Sequence, residues 1–314
     1  MTETFYYLFP ICFLTIIIFI YYRYIVFRVN KFVNLDLNEF KAEGSYIKLR
    51  GVNIHYVERG NKGKSIVFIH GLGANIFTFR YSIQELSKYH KVYALDLKGH
   101  GYSERMLNSD YTLIEQARVL LDFIIKKKIR KVIAIGHSMG GEIVLLAYNL
   151  CPDKFEKLIL IDGLGFKNRF RFILALVNHQ IINIVYYKFF IKRPNFIKIL
   201  RTLIYNNLFI NEDIIVNYLT PFKIKNSNKV YLKILKGFMN GLNKYDIKNL
   251  LGKISIPALI IWGKNDKWIN VNSAYGFNNY IKNSSLEIIK KAGHDSVEEK
   301  HQIVNKILID FIDK

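Results

Sequence analysis

The chain has few cysteines and few acidic residues for its length. Only Cys12 and Cys151 occur among 314 residues, and because Cys12 lies inside a long apolar segment we expect no disulfide between them. Asp and Glu number 25 against 46 Lys and Arg, which gives a formal net charge of +21. Such a charge suits an anionic partner: a nucleic acid, an anionic membrane surface or an acidic ligand. The sequence carries no recognised nucleic-acid-binding motif, so we expect no nucleic-acid partner.

Charge is also missing from residues 5–22, which are mostly apolar and aromatic. With the apolar residues that follow, the segment reaches the ~20 residues needed to cross a bilayer. No Lys or Arg precedes it and no Ala-x-Ala-like site follows it, which disfavours a cleaved signal peptide. Positive charge lies on its carboxyl side, at Arg23, Arg28 and Lys31. We therefore predict a single-pass anchor over residues 1–30, a polar linker over residues 31–45, and a main domain on the cytoplasmic face.

From residue 46 onward, short apolar runs of strand length alternate with helical patterns. The predicted strands cover residues 46–49, 53–58, 65–69, 91–95, 131–135, 157–161, 258–262 and 286–289. Continuously apolar strands separated by helices indicate a mostly parallel sheet covered by helices on both faces. One predicted helix covers residues 77–88, another begins at a capping box formed by Thr112 and Glu115, and the last covers residues 297–312.

The alternation stops between about residues 165 and 251. This stretch is helical in character and rich in aromatic residues, and over residues 167–248 it has fifteen Lys and Arg against three acidic residues. An insertion before the last two strands is expected to form a cap over the carboxyl edge of the sheet. Its segment 169–190 fits two alternatives, a helix on a membrane surface that attracts anionic head groups, or an ordinary cap helix packed on the main domain.

Residues 136–141 read Gly-His-Ser-Met-Gly-Gly and stand between a predicted strand and a predicted helix. A serine between two glycines in this context is a nucleophile elbow. Side chains two residues before and after the serine would collide at so sharp a turn, so Gly136 and Gly140 are required. Ser138 is then held clear of the sheet at the positive end of a helix, where an oxyanion is stabilised.

Two further strand ends supply the remaining groups of a catalytic triad. The carboxyl ends of parallel strands meet at one edge of a sheet, and Asp266 and His294 follow the last two predicted strands. His294 is placed to take the proton of Ser138, and Asp266 is placed to orient His294. Asp162 ends the preceding strand and is the alternative to Asp266.

Backbone amides supply the expected oxyanion hole. The loop at residues 70–73 reads His-Gly-Leu-Gly and follows a predicted strand, and Met139 comes directly after the nucleophile. We expect the amides of Leu72 and Met139 to be the two donors.

Other polar residues near these strand ends are interpreted as structural. They are His70, His100 and His137 as hydrogen-bonding groups, and Asp295 and Glu299 as solvated charges at a helix start.

Residues 46–314 resemble the α/β-hydrolase superfamily, in its branch of capped, cofactor-independent serine hydrolases. Five motifs occur in the family's order: His-Gly at 70–71, Asp-x-x-Gly-His-Gly-x-Ser at 96–103, the elbow, Gly-x-x-Asp at 263–266 and Gly-His at 293–294. One departure is Ser296, where the family often has proline. The resemblance implies an α/β-hydrolase fold with a helical cap at about 165–251, and neither a metal nor a cofactor.

These features predict a membrane-anchored serine hydrolase that cleaves a carboxylic ester through an acyl enzyme. An anchor followed by such a domain is similar to membrane-bound monoacylglycerol lipases, so the expected substrate is a lipid or another amphipathic acyl ester. The same triad supports carbon–carbon bond hydrolysis, thioesterase and acyl-transfer chemistry, and the fold alone does not separate them. A catalytically silent scaffold that binds a ligand is the alternative from another class. The oligomeric state is left open.

Overall fold

In the computed structural model, which describes residues 2–37, 42–164 and 179–314, eight strands form one sheet in the order β1-β2-β4-β3-β5-β6-β7-β8. Strand β2 is antiparallel to β1 and β4, and every other pair is parallel. The mostly parallel sheet is therefore confirmed, and most of the strands extend the predicted ranges by one or two residues. Their bounds are β1 Ser45–Leu49, β2 Val52–Arg59, β3 Ser65–Ile69, β4 Lys91–Leu95, β5 Val132–His137, β6 Phe155–Ile161, β7 Ala258–Gly263 and β8 Ser284–Ile289.

Helices cover both faces of the sheet, as predicted. Successive side chains of β5 alternate between two buried clusters, one shared with α3 and α4 and the other with α2 and α12. The helices are α1 Thr2–Phe32, α2 Arg80–Leu86, α3 Leu113–Lys126, α4 Met139–Leu150, α5 His179–Val185, α6 Arg193–Leu203, α7 Glu212–Leu219, α8 Ser227–Lys244, α9 Ile247–Gly252, α10 Asn272–Tyr280, α11 Ser296–Glu299 and α12 His301–Asp313.

Two predicted helices are divided in the structure. The range 77–88 becomes a 3₁₀ turn, Ile76–Phe79, followed by α2. The range 297–312 is interrupted at Lys300, whose backbone has φ −120° and ψ 35°, so α11 and α12 are separate.

The predicted capping box at the start of α3 is wrong. Thr112 precedes the helix, but its hydroxyl donates to Asp110 at 3.0 Å rather than capping an amide of α3. The carboxylate of Glu115 accepts from Arg50 at 2.9 Å and from the buried Lys98 at 3.0 Å. Glu115 makes these charge-assisted bonds instead because they are stronger than a bond to a neutral amide, and a buried ammonium requires a partner.

Helices α5 to α9 lie between β6 and β7, together with a π-helical segment, Tyr186–Ile191. Part of the predicted cap, residues 165–178, lies outside the described residues, and so does the part of the proposed membrane-surface segment that begins at Arg169. In the described part, Ile182, Tyr186 and Phe190 are buried, which favours an ordinary cap helix for residues 181–190.

Helix α1 has two differently exposed parts. Its stretch Ile11–Phe32 is long and apolar enough to cross a membrane by length and composition. Residues 11–24 are exposed except for the half-buried Tyr22, whereas Ile25, Val29 and Val33 are buried in the cap cluster that contains Tyr186. The last turns of α1 are therefore part of the folded domain.

The segment after α1, predicted as a polar linker, is also attached to the cap. The amide of Leu35 donates to the carbonyl of Lys223 at 3.0 Å, and the Leu35 carbonyl accepts from Lys225 at 2.9 Å. These bonds form a parallel bridge between Leu35 and Ile224, which fixes where α1 joins the domain.

Candidate active site

Ser138 stands between β5 and α4 in a strained backbone conformation, with φ 52° and ψ −123°. The flanking glycines are required by contact distances. A Cβ on Gly136 would lie 2.5 Å from the carbonyl oxygen of Gly140, and a Cβ on Gly140 would lie 2.1 Å from that of Ile69. Only glycine therefore lets this turn pack against β3 and raise the serine above the sheet edge.

The structure brings the three predicted triad side chains into contact. His294 Nε2 lies 2.9 Å from Ser138 Oγ, and His294 Nδ1 lies 2.7 Å from Asp266 Oδ2. The other carboxylate oxygen, Asp266 Oδ1, accepts from the amides of Trp268 at 2.7 Å and Ile269 at 2.9 Å. The serine and the histidine are only 8% and 4% exposed. This arrangement allows Nδ1–H to donate to Asp266 and leaves the Nε2 lone pair facing the serine hydroxyl.

The electrostatics of His294 favour its charged form. Burial lowers the pKa of a histidine, but the hydrogen bond and the negative charge of Asp266 outweigh burial and raise the pKa of His294 to about 9. A histidine with a raised pKa is a strong proton acceptor once it is neutral.

Asp162, the alternative to Asp266, has other partners. Its Oδ1 accepts from the Gly263 amide at 2.7 Å, and its Oδ2 accepts from the amide and hydroxyl of Ser296 at 3.1 and 2.5 Å. Burial, and then the charge of Asp266, raise the pKa of Asp162 well above its usual range. Asp162 therefore ties the end of β6 to β7 and to the loop after His294. A proline at position 296 would offer neither donor.

The two predicted oxyanion donors are next in the chain to Ser138 and to Gly71, on which a Cβ would lie 3.0 Å from the Ser138 Cβ. Met139 is the first residue of α4, and Leu72 lies in the loop after β3. Within the described ranges, neither backbone amide has a protein acceptor. The ring of His70 accepts from the Leu97 amide at 2.9 Å and donates to the Gly71 carbonyl at 2.8 Å. Because that carbonyl shares a peptide plane with the Leu72 amide, His70 fixes the direction of the donor.

The other interpreted histidines are also structural. His137 Nε2 donates to the main-chain carbonyl of His294 at 2.9 Å, which holds the backbone of the base. Burial, with a smaller contribution from His294, lowers the pKa of His137 to about 3, so its ring is neutral. His100 is buried, and burial lowers its pKa well below the usual range.

The expectation that Asp295 and Glu299 are solvated is wrong, because both are buried. Glu299 accepts from the amides of Gly293 at 2.9 Å, Tyr205 at 2.8 Å and Asn206 at 2.6 Å. It therefore ties the His294 loop to the segment after α6. The two cap amides are more than 90 residues away in sequence, and no local pattern indicates them.

A narrow cleft lies beside the Leu72 loop, between the sheet edge and the cap. Arg105 is buried there and donates to the Pro221 carbonyl and the Ser227 hydroxyl, both at 3.2 Å, so it joins the catalytic domain to the cap. Burial lowers the pKa of Arg105 to about 10. Most of the other residues that line the cleft are aromatic or have small side chains, and they include Gly73, Ala74, Tyr186, Phe222 and Tyr231. In the described ranges, no group of three or more His, Cys, Asp or Glu residues is arranged to hold a metal ion.

Comparison with known proteins agrees with this fold. The family model of the alpha/beta hydrolase fold matches residues 64–301. The chain is 27% identical over 263 residues to the uncharacterized hydrolase YugF of Bacillus subtilis, covering 83% of this chain and 95% of the relative. It is 26% identical to human epoxide hydrolase 4 over 287 residues, with coverages of 85% and 77%. It is 25% identical to a mouse monoacylglycerol lipase over 264 residues, with coverages of 82% and 78%.

Among solved structures, a bacterial membrane phospholipase A superposes with a TM-score of 0.74 at 20% identity, covering 99% of this chain and 98% of that one. At this identity the likeness concerns the fold. The family match spans most of the chain and contains the elbow and both of its predicted partners. The chain therefore belongs to the α/β-hydrolase family and is a hydrolase of that fold.

Proposed function

We propose that the protein is a membrane-anchored serine hydrolase that cleaves a carboxylic ester through an acyl-enzyme intermediate. The observation that carries the proposal is the chain of two hydrogen bonds, 2.9 Å from Ser138 Oγ to His294 and 2.7 Å from His294 to Asp266. This arrangement couples a nucleophile, a base and an orienting carboxylate in one line.

Each step of the reaction has a group in the site. Ser138 Oγ attacks the ester carbonyl carbon while its proton passes to His294 Nε2, and the carbonyl electron pair moves to the oxygen. The amides of Leu72 and Met139 donate hydrogen bonds to this oxyanion. When the intermediate collapses, the leaving alcohol takes the proton from His294. Water then attacks the acyl group through the same base, and the acid and the free serine are released.

A lipid or another amphipathic acyl ester is the proposed substrate class. Residues 2–24 of α1, at 1.5 Å per residue, would span about 34 Å, which matches a hydrocarbon core. The next turns of α1 pack on the cap through Ile25 and Val29, so an inserted α1 would hold the cap at the membrane surface. Relatives named monoacylglycerol lipase and membrane phospholipase A fit this substrate class. Arg23, Arg28 and Lys31 favour a cytoplasmic catalytic domain.

A panel of esters of graded acyl-chain length, presented in solution and in mixed micelles, tests the proposal. We expect turnover that rises with chain length and with the lipid interface, and a loss of about 10⁴-fold or more in Ser138→Ala. Turnover unchanged by Ser138→Ala would contradict the serine mechanism. Preference for short soluble esters without an interfacial gain would contradict the lipid substrate. Thioester or carbon–carbon substrates in the same panel distinguish the other reactions of the triad.

A further inference from the structure

Trp268 joins the catalytic pair Asp266 and His294 to the cap, and the proposed reaction does not use its side chain. It lies in the loop after β7, two residues beyond Asp266, and is 46% exposed. The next residue, Ile269, packs against the buried cluster on one face of the sheet. Apolar burial therefore gives little reason for a tryptophan at position 268, and its ring and hydrogen-bond contacts define its role.

The indole of Trp268 lies beside the ring of the catalytic base. The planes of the indole and the His294 imidazole differ by 16°, and their centres are 6.1 Å apart. Rings at this separation attract each other in an offset, nearly parallel arrangement. The hydrogen bonds of His294 to Asp266 and Ser138 leave from its two nitrogens, in the plane of the ring. They allow the ring to tilt about the line that joins its partners, whereas a neighbouring ring resists that tilt.

The indole also donates a hydrogen bond to the cap. Trp268 Nε1 lies 2.9 Å from Thr202 Oγ1, in the last turn of α6. An indole N–H is a donor only, so the threonine oxygen accepts. The hydroxyl proton of Thr202 is used within α6, where it is donated to the Ile199 carbonyl at 2.6 Å. The bond therefore has one direction, and it fixes the indole relative to the end of α6.

The same end of α6 holds the loop that carries the base. The Leu203 carbonyl accepts from the Asp295 amide at 3.1 Å. Glu299 accepts from the amides of the second and third residues after α6, at 2.8 and 2.6 Å. The loop of the base and the loop of Trp268 are thus both attached to one short stretch of the cap, residues 202–206.

We propose that Trp268 is a positioning residue through which the cap sets the orientation of His294. The inference rests on the proposed serine mechanism and adds to it a dependence of the base on the cap. With the indole held by Thr202, the imidazole keeps Nε2 directed at Ser138 Oγ and Nδ1 at Asp266. Displacement of α6 would remove that restraint, so proton transfer is most effective when the cap is seated on the catalytic domain. Misplacing a catalytic group by about 1 Å costs up to ~10²-fold in rate.

The rate at which a fluorophosphonate probe labels Ser138 tests the proposal, with the full chain in detergent micelles. This rate reports the activation of the serine by its base and needs no ester substrate. We expect Trp268→Ala to lower it, and kcat on a short soluble ester, by about tenfold or more with little change in KM. Trp268→Phe keeps a ring beside His294 and should recover part of the loss. Tyr275→Ala, at a half-exposed aromatic residue of α10, is the matched control and should label at the wild-type rate.

Substitutions of Thr202 test the link to the cap. Thr202→Val removes the acceptor but keeps the shape, and should slow labelling by about three- to tenfold. Thr202→Ser keeps the oxygen and should label within about twofold of wild type. Because Thr202 is exposed, these two variants decide the question even if Trp268→Ala fails to fold.

Labelling of Trp268→Ala at the wild-type rate, or a change in KM alone, would overturn the proposal, since either result makes the indole only a wall of the substrate site. Equal rates for Thr202→Val and Thr202→Ser would contradict the link to the cap. A wild-type chain that does not react contradicts the serine mechanism itself, and with it this inference. A reactive wild type with unaffected variants refutes this inference alone.

Discussion

Replacing Asp266 by Asn is the most informative change at the site. Asn keeps the shape of the side chain and one oxygen for the Trp268 and Ile269 amides, but it removes the charge that faces His294 Nδ1. The rise of the His294 pKa from 6.5 to about 9 corresponds to about 3 kcal/mol of preference for the charged ring. We expect the variant to lose most of this preference and to lower kcat by about 10⁴-fold, since the neutral ring is no longer held with its proton on Nδ1.

The assay is the pH dependence of kcat/KM on a soluble ester, measured for wild type and Asp266→Asn. The base works only when it is neutral, so wild-type activity should rise with pH to a midpoint near 9, and the residual activity of the variant should rise at a pH lower by one or more units. Folding stability has the corresponding sign. The charged His294 stabilises the native state fully below its unfolded pKa of about 6.5, and this contribution is lost as pH rises through about 9.

Asp162→Asn is the matched control, because Asp162 lies nearby but bonds Gly263 and Ser296 instead. We expect it to lower stability and to shift the midpoint of the pH profile by less than Asp266→Asn does, because the charge of Asp162 raises the pKa of His294 by less than Asp266 does. If Asp162→Asn shifts the profile and Asp266→Asn does not, the assignment of the orienting aspartate is refuted.

Three further changes test other parts of the structure. Gly140→Ala places a Cβ 2.1 Å from the Ile69 carbonyl oxygen. We expect chemical denaturation to show a free energy of unfolding that is lower by about 3 kcal/mol or more. A stable, active variant would show that the turn is not constrained. His70→Gln should lower kcat by about 10- to 100-fold with little change in KM, because the Leu72 amide loses its support; a pure KM effect would place His70 elsewhere in the mechanism. Val29→Ala should lower the free energy of unfolding by about 2 kcal/mol, whereas Asn30→Ala, at an exposed position, should have little effect. Equal effects of the two changes would contradict the packing of α1 on the cap.

The topology prediction has its own measurement. Protease added outside sealed cells should leave the catalytic domain intact, because the cations that follow the apolar segment favour a cytoplasmic domain. Digestion from outside would contradict this orientation, and permeabilised cells provide the control for protease activity.

The sheet and the triad were predictable because their signals are local. Strand β3 is a continuous apolar run bounded by polar residues, and its predicted range, 65–69, is also its observed range. Ser138 follows β5 directly, and Asp266 and His294 lie three and five residues after the ends of β7 and β8, so knowing where strands end was enough to place them at one edge.

Long-range contacts determine the features that sequence reasoning missed. Glu115 has the spacing of a capping box, yet its carboxylate is used by Arg50, 65 residues away. Glu299 resembles a solvated helix-start residue, but its partners are amides of the cap. Local patterns do not specify which distant backbone or side chain covers a charged group.

Reaction with a fluorophosphonate probe, followed by peptide mass spectrometry, tests the central claim most directly. Such a probe forms a covalent bond with a serine only when a neighbouring base activates it. We predict one adduct on the peptide that contains Ser138 in the wild-type chain, and none in Ser138→Ala or His294→Ala. An unreactive wild-type chain, or an adduct on another residue that persists in both variants, would contradict the assignment of Ser138 and His294 as nucleophile and base.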